Sequence, residues 1–277
     1  MASPRLIGVV VAYGAPDRLA RALATAPRPC IVVDNSSRHD VAKVVADAGA
    51  TYVDPGRNGG FSFGVNLAVA HAGRIAPQAD VLVVNPDAEL TAGLVERMLE
   101  ERQRHPRCAV VTPELHAENG EVQRVMWPWP TPLGAWVEAF GLAHLRRAAF
   151  AVGAVMLLSR QALDEVGPFD ERFFLYAEET DWQRRATRDG WVVRSVELSA
   201  MHAGAATSTD DALREVQFHV GQEVYIRKWF GGAGWQAYRG GVIAGAMLRV
   251  MLRRDVDDAQ RLRLYLRGPR RVLRALS

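Results

Sequence analysis

A ten-residue stretch constrains the fold of this chain more than any other. It reads Val81-Leu82-Val83-Val84-Asn85-Pro86-Asp87-Ala88-Glu89-Leu90. Its first four residues are all β-branched or aliphatic, which predicts a strand buried on both faces of a parallel sheet. Pro86 has no N–H and ends the ladder, so the carboxylates of Asp87 and Glu89 follow the carboxyl end of the strand. Open α/β sheets bind ligands at that end, and the alternative is an ordinary strand-to-helix turn.

Strand and helix patterns alternate on both sides of this stretch. Apolar runs predict further strands at Leu6–Ala12, Cys30–Val33, Ala50–Val53, Ala109–Thr112, Val152–Leu158 and Trp191–Val196. Amphipathic helical patterns lie between most of them. This alternation is typical of βαβ units. The sequence therefore predicts an α/β fold, Rossmann-like, with a mostly parallel sheet flanked by helices.

Composition excludes several classes of protein. The chain has 277 residues, of which 49% are hydrophobic and 23% charged, as in soluble globular proteins. A net charge of +3 argues against a nucleic-acid partner. The longest apolar run, Val242–Leu252, is too short to span a bilayer and contains Arg249. Because the N-terminus has no signal-peptide core, we expect a cytoplasmic protein. Cys30 and Cys108 adjoin predicted strands, which favours reduced thiols over the alternative of a disulfide.

The pattern changes twice along the chain, which predicts two domains. Residues 1–208 form the first, with one half at about 1–112 and the other at about 113–208. Residues 209–277 form a helical, basic extension. The segment Glu114–Arg147 has no clear period and contains Met126-Trp127-Pro128-Trp129-Pro130. It is either an acceptor-binding loop or a surface loop packed on its own aromatic residues.

Four polar segments follow one another in an informative order. They are Asp34-Asn35-Ser36-Ser37, the glycine-containing loop Asn58–Asn66, Asn85-Pro86-Asp87, and Phe169-Asp170-Glu171 continuing to Glu178-Glu179-Thr180-Asp181-Trp182. Together they resemble the family 2 glycosyltransferases, which have the GT-A fold. The rhamnosyltransferase-type members, which build bacterial cell-wall and polysaccharide linkages, are the most similar. The resemblance covers about Leu6 to Thr207.

The resemblance implies a divalent metal site. Asn85-Pro86-Asp87 matches the Asp-x-Asp motif of the family, so Asp87 is the expected ligand of Mg²⁺ or Mn²⁺, which prefer hard oxygen donors. Asn85 departs from the usual first Asp and lowers the charge of the site. His202 matches a family histidine that completes the metal site, and the alternative is a structural histidine.

The resemblance also implies a nucleotide site. Asp34 matches the acid that accepts the N3–H of uracil or thymine, and the alternative is an Asx turn closed with Asn35. Tyr13 is followed by Gly14 where the family has Tyr-Asn. The remaining residues expected on the nucleotide side are Arg57, Asn58, Gly60, Asn66, Asn85 and Pro86. The glycine spacing alone fits neither a dinucleotide fingerprint nor a P-loop, and it also suits a tight turn.

Glu178, Glu179 and Asp181 supply the candidates for the catalytic base. Inversion at an anomeric carbon needs a carboxylate that accepts the proton of the acceptor hydroxyl. In the family the second acid of the pair has this role, which falls on Glu179, although Asp is usual there. Asp181 is the alternative base. Acids at a helix N-terminus can also simply complement the macrodipole, whereas grouped carboxylates raise one another's pKa.

The expected reaction moves a sugar, rhamnose being one candidate, from a dTDP- or UDP-sugar to a saccharide or polyprenyl-diphosphate-linked acceptor. Two other functions remain open. A catalytically inactive sugar-nucleotide-binding protein would explain Asn85 and Glu179. A nucleotidyltransferase would normally need a basic glycine-rich loop near the N-terminus, and Ala12–Pro16 is not one. A Rossmann dehydrogenase is disfavoured because the glycine fingerprint is missing.

The C-terminal arm suggests a membrane contact. From Ala259 to the end there are six arginines and no acid: Arg261, Arg263, Arg267, Arg270, Arg271 and Arg274. Nearby apolar residues, Trp229, Phe230, Trp235, Leu262, Leu264 and Leu266, would complete an amphipathic surface on the anionic inner face of the plasma membrane. The alternative is an ordinary helical hairpin whose arginines are solvated or paired across a homodimer.

Overall fold

A computed structural model describes residues 4–203, 211–253 and 256–276. The strands are β1 (Leu6–Ala12), β2 (Cys30–Asp34), β3 (Thr51–Val53), β4 (Asp80–Val84), β5 (Ala88–Leu90), β6 (Cys108–His116), β7 (Val122–Gln123), β8 (Met126–Trp127), β9 (Phe150–Ala151), β10 (Val155–Leu158) and β11 (Val192–His202). The helices are α1 (Pro16–Thr25), α2 (His39–Asp47), α3 (Gly60–Ile75), α4 (Leu94–Arg104), α5 (Pro132–Ala139), α6 (Arg160–Val166), α7 (Glu178–Arg188), α8 (Asp211–Arg253), α9 (Val256–Arg267) and α10 (Pro269–Leu276), with a 3₁₀ turn at Ala143–Leu145.

The main sheet has nine strands in the order β3-β2-β1-β4-β10-β6-β11-β5, with β7 paired to β6. The predicted α/β architecture is confirmed, but the sheet is mixed rather than mostly parallel. Strands β3, β2, β1 and β4 run parallel, whereas β10 is antiparallel to both β4 and β6. A buried strand has the same apolar sequence pattern whether it runs parallel or antiparallel to its neighbours. The sequence of β10 therefore does not reveal its direction.

Helices cover both faces of the sheet, as the alternating pattern predicts. Strands β1 and β2 are buried along their whole length, and β4 from its second residue. On one face Leu19, Val41 and Leu94 pack from α1, α2 and α4. On the other face Val65 and Trp182 pack from α3 and α7. This two-sided burial explains why the strands are almost continuously apolar.

Both cysteines are free and buried, as the strand positions suggested. Burial raises the pKa of the Cys30 thiol and of the Cys108 thiol to about 11. Each side chain therefore behaves as a small apolar core residue rather than as a nucleophile.

The parallel strands direct several polar segments to one edge of the sheet. Strands β1, β2 and β4 end there, just before Tyr13, Asn35 and Asn85. Because β10 is antiparallel to β4, its first residue Val155 pairs with Val84 at the same edge. The carboxyl ends of the central strands thus collect the predicted motifs, as in other open α/β sheets.

Some local predictions differ from the structure. Thr91 is of a residue type that favours helix N-caps, but α4 begins after Gly93, whose φ of 78° is left-handed. The Thr91 hydroxyl instead donates to the carbonyl of Ser199 at 2.5 Å. It does so because β5, which the sequence did not predict, pairs with β11 immediately before this point. His202 is the last residue of β11 rather than lying beyond the strand.

The chain forms two compact units whose boundaries differ from the predicted one. Unit 1 comprises Met1–Met126, Phe150–Phe174 and Glu178–Thr209, and unit 2 comprises Trp127–Ala149, Leu175–Ala177 and Asp210–Ser277. The sequence placed a single boundary at 208/209. The part of the irregular segment from Trp127 onward, which contains α5, belongs to unit 2 because α5 packs closely on α8, a contact between elements far apart in the chain.

Unit 2 is helical, and its core is aromatic. Helix α8 is kinked at Gly231, which has a left-handed φ of 70°, where the sequence predicted a break. Trp235, Leu264 and Tyr265 are buried within this unit. Trp235 and Leu264 were expected on a membrane surface, so for these residues the alternative of a packed helical hairpin is the correct one. None of the helices within the described ranges is both long and apolar enough to cross a membrane.

Candidate functional site

Strand pairing brings Asp87 and His202 together in unit 1. The antiparallel pairing of β5 with β11 sets Ala88 opposite His202, so the preceding turn lies beside the histidine ring. The Asp87 Oδ1 to His202 Nε2 distance is 3.5 Å. The N–H of Ala203 donates to the Asp87 carbonyl oxygen at 3.1 Å. The two residues proposed as metal ligands are therefore adjacent.

Gln123, which the sequence analysis did not identify, orients His202. Its Nε2 donates to the His202 carbonyl oxygen at 3.0 Å, and its Oε1 lies 2.9 Å from the His202 Nδ1. Because the amide oxygen can only accept, Nδ1 carries the ring proton. In the neutral ring, which is the form that binds a metal, Nε2 would then present its lone pair toward Asp87, the arrangement that second-shell partners impose on metal-binding histidines. No local pattern indicates Gln123, because β7 has only two residues.

The donor atoms at this position suit a hard divalent cation. Carboxylate oxygen and imidazole nitrogen are both ligands for Mn²⁺, and Mg²⁺ accepts the oxygen. Among the described residues no group of three or more His, Cys, Asp or Glu could hold a metal. The protein would thus supply two ligands and the substrate phosphates the others, as is usual for Mg²⁺. Glu89 is not part of this pair, because it binds Arg21 at 3.0 Å.

Asn85 and Pro86 form the turn that presents Asp87. The Asn85 N–H donates to the Ala154 carbonyl at 2.8 Å, and the Asn85 carbonyl accepts from the Ala88 N–H at 3.1 Å. These bonds attach the turn to the beginning of β10 and to β5. The observed contacts of Asn85 are thus backbone contacts that shape the turn, and a role in donor binding stays a prediction.

Glu178 and Glu179 form a buried carboxyl pair at the N-terminus of α7. The Oε2 atom of each is buried, with no hydrogen-bond partner among the described residues. Burial, and then the negative charge of Glu179, raises the pKa of Glu178 well above its ordinary value. Burial raises the pKa of Glu179 to about 7. Both carboxyls are therefore weaker acids than usual, and a pKa of about 7 for Glu179 suits a general base.

The carboxylate of Asp181, the alternative base, is engaged in a contact that holds two helices together. Its carboxylate is fully buried and accepts from Arg185 Nε at 3.2 Å. The same guanidinium donates to the carbonyl oxygens of Val166 at 2.7 Å and Pro168 at 2.6 Å. Asp181 thus holds an arginine that attaches α7 to the end of α6, and Glu179 is the better candidate for the base.

The backbone before α7 is strained. Tyr176 has a φ of 69° and Ala177 a φ of 67°, so two consecutive non-glycine residues adopt the left-handed conformation. Such residues cost about 1–3 kcal/mol each and cluster at functional sites. These two residues directly precede the two glutamates in the chain.

The glutamate pair lies close to the turn that presents Asp87. A Cβ built on Gly153 would lie 3.6 Å from Glu179 Cγ, so the stem of Glu179 passes beside this glycine. The next residue, Ala154, is the one whose carbonyl accepts from Asn85. The structure therefore gathers the proposed base and the motif Asn85-Pro86-Asp87 at one edge of the sheet.

Asp34 is engaged in a local network. Its Oδ1 accepts from the Ser36 N–H at 2.9 Å and from the Ser36 hydroxyl at 2.5 Å. Its Oδ2 accepts from the Arg38 N–H at 3.0 Å and from the Tyr52 hydroxyl at 3.1 Å. The Asx turn weighed in the sequence analysis is thus present. Four donors occupy most of the carboxylate's capacity, so recognition of a base by Asp34 stays a prediction.

Asn35 has an unoccupied hydrogen-bond acceptor, whereas both carboxylate oxygens of Asp34 already accept hydrogen bonds. Its Nδ2 donates to the Gly60 carbonyl at 3.0 Å. Its Oδ1 is buried with no partner among the described residues, and an unpaired buried acceptor is costly unless a ligand satisfies it. Asn35 is therefore better suited than Asp34 to contact a base in this conformation.

The glycine loop is held against the segment that precedes α7. The Phe61 N–H donates to the Phe174 carbonyl at 2.7 Å. Gly60 has a φ of 82°, and a Cβ there would lie 2.2 Å from the Phe174 carbonyl oxygen. The Gly60 N–H donates to Asn58 Oδ1 at 3.1 Å. Gly60 is thus required both by its backbone conformation and by a close approach.

Asn66 was expected to face the nucleotide, but its amide holds another part of the chain. Nδ2 donates to the Phe169 carbonyl at 2.9 Å and to Glu171 Oε1 at 3.0 Å, and Oδ1 accepts from the Phe169 N–H at 2.9 Å. All of its amide atoms are therefore engaged. The observed role is to attach α3 to the segment leading to the glutamate pair, and nucleotide contact by Asn66 stays a prediction.

The remaining nucleotide-side candidates lie on exposed loops. Tyr13 is exposed, and the adjacent Gly14 N–H donates to the Ser36 hydroxyl at 3.1 Å, near Asp34. The Arg57 guanidinium lies 4.7 Å from the centre of the Phe63 ring. Arg57 and Asn58 are both exposed and are free to meet a ligand from solvent.

Comparisons with known proteins support the resemblance seen in the sequence. The N-acetylglucosaminyl-diphospho-decaprenol L-rhamnosyltransferase of Mycobacterium tuberculosis is 25% identical over 297 aligned residues, covering 93% of this chain and 96% of that protein. The low-salt glycan biosynthesis hexosyltransferase Agl10 of Haloferax volcanii is 27% identical over 167 residues, covering 57% of this chain and 53% of Agl10.

Solved structures share the fold. The mannosyltransferase PcManGT from Pyrobaculum calidifontis, in complex with GDP-Man and Mn²⁺, superposes with a TM-score of 0.60 at 15% identity, covering 99% of this chain and 85% of that one. TarS of S. aureus in complex with UDP-GlcNAc gives a TM-score of 0.54 at 15% identity, covering 95% and 80%. These similarities establish the GT-A fold of this chain.

The profile of the family described as glycosyl transferase family group 2 matches residues 81–270, which is more than half of the chain. That range includes the turn with Asp87, the glutamate pair and His202. The chain belongs to family 2 of the glycosyltransferases and is a transferase of the rhamnosyltransferase-like type.

Proposed function

We propose that this protein is an inverting, metal-assisted glycosyltransferase that uses a dTDP- or UDP-sugar, with rhamnose the first sugar to test. The acceptor is a saccharide or a polyprenyl-diphosphate-linked sugar. The mycobacterial relative, named for transfer of L-rhamnose to a decaprenol-linked acceptor, supports this choice. Such an enzyme would act in the cytoplasm, in the biosynthesis of cell wall or polysaccharide.

The observation that carries the proposal is the position of Glu179, whose carboxyl is buried beside Gly153, close to the turn that contains Asp87. Burial raises the pKa of Glu179 to about 7, and its Oε2 is buried without a partner. In the proposed step this carboxylate accepts the proton of the acceptor hydroxyl while the hydroxyl oxygen bonds to the anomeric carbon. The bond from that carbon to the nucleotide diphosphate breaks, and the diphosphate leaves from the opposite face, which inverts the configuration.

Asp87 and His202 would hold the divalent cation, with Gln123 fixing the histidine tautomer. When bound, the cation supplies positive charge that offsets the charge developing on the leaving diphosphate. The neighbouring Asn35 and Gly60 would contact the nucleotide, Asn35 through its unpaired Oδ1. The complex of PcManGT with GDP-Man and Mn²⁺ supports the use of a metal.

A transfer assay with three variants tests this proposal. Nucleotide sugars, beginning with dTDP-rhamnose, are screened with Mn²⁺ by thermal shift, and the best donor is used with a lipid-linked or short saccharide acceptor. We expect Glu179→Gln to bind the donor but to lose transfer by about 10²-fold or more. Asp87→Ala should lose metal-dependent binding measured by calorimetry, and Asp181→Asn serves as the matched carboxylate control.

Three outcomes would contradict these assignments. Near-normal turnover in Glu179→Gln with a collapse in Asp181→Asn would move the base to Asp181. Unchanged metal-dependent affinity in Asp87→Ala would remove Asp87 from the metal site. Binding of a donor without transfer or hydrolysis in the unmodified protein would favour an inactive sugar-nucleotide-binding protein, a possibility raised by Asn85 at the first position of the metal motif.

A further inference from the structure

Helix α8 contains a glycine, Gly221, that helix formation does not explain. It lies in the first part of α8, before the kink at Gly231. Glycine in a helix interior is less stable than alanine, and a glycine found there usually allows another part of the chain to approach closely. The proposed reaction, as described above, makes no use of Gly221.

The part of the chain that approaches Gly221 is the short segment before α7. A Cβ built on Gly221 would lie 2.5 Å from the carbonyl oxygen of Tyr176 and 3.2 Å from that of Leu175. Both are backbone atoms, so neither can turn aside as the end of a flexible side chain can. The Tyr176 ring also meets the Phe218 ring of α8 edge-on, with the ring centres 5.7 Å apart. Backbone and ring contacts together hold Tyr176 against α8.

This segment is the one with the strained backbone. Tyr176 and Ala177 both have a left-handed φ, although neither is glycine. Such conformations persist only where the surrounding structure holds them. Unit 2 supplies contacts that do so, because Leu175–Ala177 and Gly221 belong to the same compact unit.

The segment ends at the glutamate pair. Ala177 is bonded to Glu178, the first residue of α7, and Glu179 follows. A shift in the backbone of 175–177 is therefore passed along the chain to both carboxyls. A general base must lie within hydrogen-bond reach of the hydroxyl that it deprotonates, and a displacement of about 1 Å can cost about 10²-fold in rate.

We propose that Gly221 is a positioning residue for Glu179. Because it has no side chain, α8 can hold Tyr176 in the backbone conformation from which α7 begins. Gly221 acts through the chain and not on the substrate. This inference rests on the proposed function, in which Glu179 is the base. It gives the C-terminal helical region a part in the reaction.

Steady-state transfer by the full chain tests the proposal. In Gly221→Ala the new methyl group displaces the Tyr176 carbonyl. We expect kcat to fall about tenfold or more, while the donor KM and the Mn²⁺-dependent affinity for the nucleoside diphosphate stay within about twofold. The control is Gly232→Ala in the same helix, where a Cβ would have nothing within 4 Å, and its kcat should be unchanged. Phe218→Leu removes the ring contact without a clash and should lower kcat less than Gly221→Ala.

A double-mutant cycle shows whether Gly221 acts through Glu179. In the Glu179→Gln background, Gly221→Ala should cost little further transfer, because the effects of residues that act together do not add. Urea unfolding provides a comparison without substrate. At pH 8 Glu179→Gln should stabilise Gly221→Ala less than it stabilises the unmodified protein, since a displaced carboxyl is less deeply buried. If Gly221→Ala does not fold, Phe218→Leu takes its place in the cycle.

Two results would overturn the proposal. One is an unchanged kcat in a folded Gly221→Ala, or losses that simply add in the double variant. The other is a loss of nucleoside-diphosphate binding that parallels the loss of kcat, which would make Gly221 a general structural residue. If the unmodified protein transfers no sugar, the proposed function fails. The unfolding comparison then decides the inference by itself, and equal stabilisation by Glu179→Gln in both backgrounds overturns it.

Discussion

At the scale of single residues, two adjacent glutamates differ in their affinity for a proton. Burial, and then the charge of Glu179, raise the pKa of Glu178 well above its ordinary value, whereas burial raises the pKa of Glu179 to about 7. A general base must be ionised before it can accept a proton. Transfer by the enzyme should therefore increase as pH rises through about 7.

The same shift predicts that Glu179→Gln stabilises the protein at alkaline pH. A carboxyl whose pKa is raised in the folded protein binds more protons when the protein is folded than when it is unfolded. Its contribution to the free energy of unfolding is therefore present below its ordinary pKa and is lost as pH rises through about 7. Glutamine has no charge to bury. Since each pKa unit corresponds to about 1.4 kcal/mol, the gain should approach about 3 kcal/mol at pH 8. Urea unfolding at pH 5 and pH 8 measures it.

The control for this experiment is Glu96→Gln, the same change at an exposed position in α4. It should alter the free energy of unfolding little at either pH, since exposed substitutions usually lie within about 0.5 kcal/mol. A stabilisation of Glu179→Gln that is the same at pH 5 and pH 8 would contradict the raised pKa.

Gln123 is the second residue-scale test. Replacing it with leucine removes the acceptor for the His202 Nδ1 proton and frees the ring to rotate or to change tautomer. We expect Gln123→Leu to weaken Mn²⁺-dependent binding of the nucleotide diphosphate by about 10–100-fold, the usual cost of losing such a partner. Calorimetry with and without Mn²⁺ measures this. Gln161→Leu, at an exposed position on α6, is the control, and equal affinities in the two variants would exclude the role.

At the scale of elements, the turn before α3 connects the nucleotide side to the segment before α7. Asn35, Phe61 and Asn66 all contribute hydrogen bonds to this connection. The sequence indicated the glycines of this turn but not their partner. That partner, Phe174, is more than a hundred residues away in the chain, so no local pattern could identify it.

Gly60→Ala should destabilise the protein more than Gly14→Ala. Both glycines have a left-handed φ, 82° and 65°, but only at Gly60 would a Cβ meet backbone, the Phe174 carbonyl oxygen at 2.2 Å. The space around Gly14 is open, so Gly14→Ala measures the conformational strain alone, about 1 kcal/mol. We expect a further loss of about 1–3 kcal/mol in Gly60→Ala, measured by urea unfolding. Equal losses would mean that the turn opens without cost.

At the scale of the whole molecule, the C-terminal arm contributes to the core of unit 2. Leu264 and Tyr265 of α9 are buried, and the Tyr265 hydroxyl lies 3.0 Å from the His219 Nδ1. Deleting the arm would therefore expose part of that core as well as removing arginines.

The sequence by itself determined the features that depend on local pattern. Continuous apolar runs predicted the buried strands, and left-handed glycines such as Gly49 and Gly190 end their helices where expected. Pro86 placed Asp87 just beyond a strand, and the order of the four motifs identified the family. These inferences succeed because burial and backbone conformation are encoded within a few neighbouring residues.

Only the tertiary structure decided what depends on partners distant in the chain. The antiparallel direction of β10, the contact of Gln123 with His202, and the burial of Trp235 all arise from packing between separate elements. The different surroundings of Glu179 and Asp181, the two candidate bases, are of the same kind. Both are acids in one helical turn, and they differ because Arg185 pairs with Asp181 while burial raises the pKa of Glu179. Proton affinity is set by the surroundings of a group, and those surroundings exist only in the folded chain.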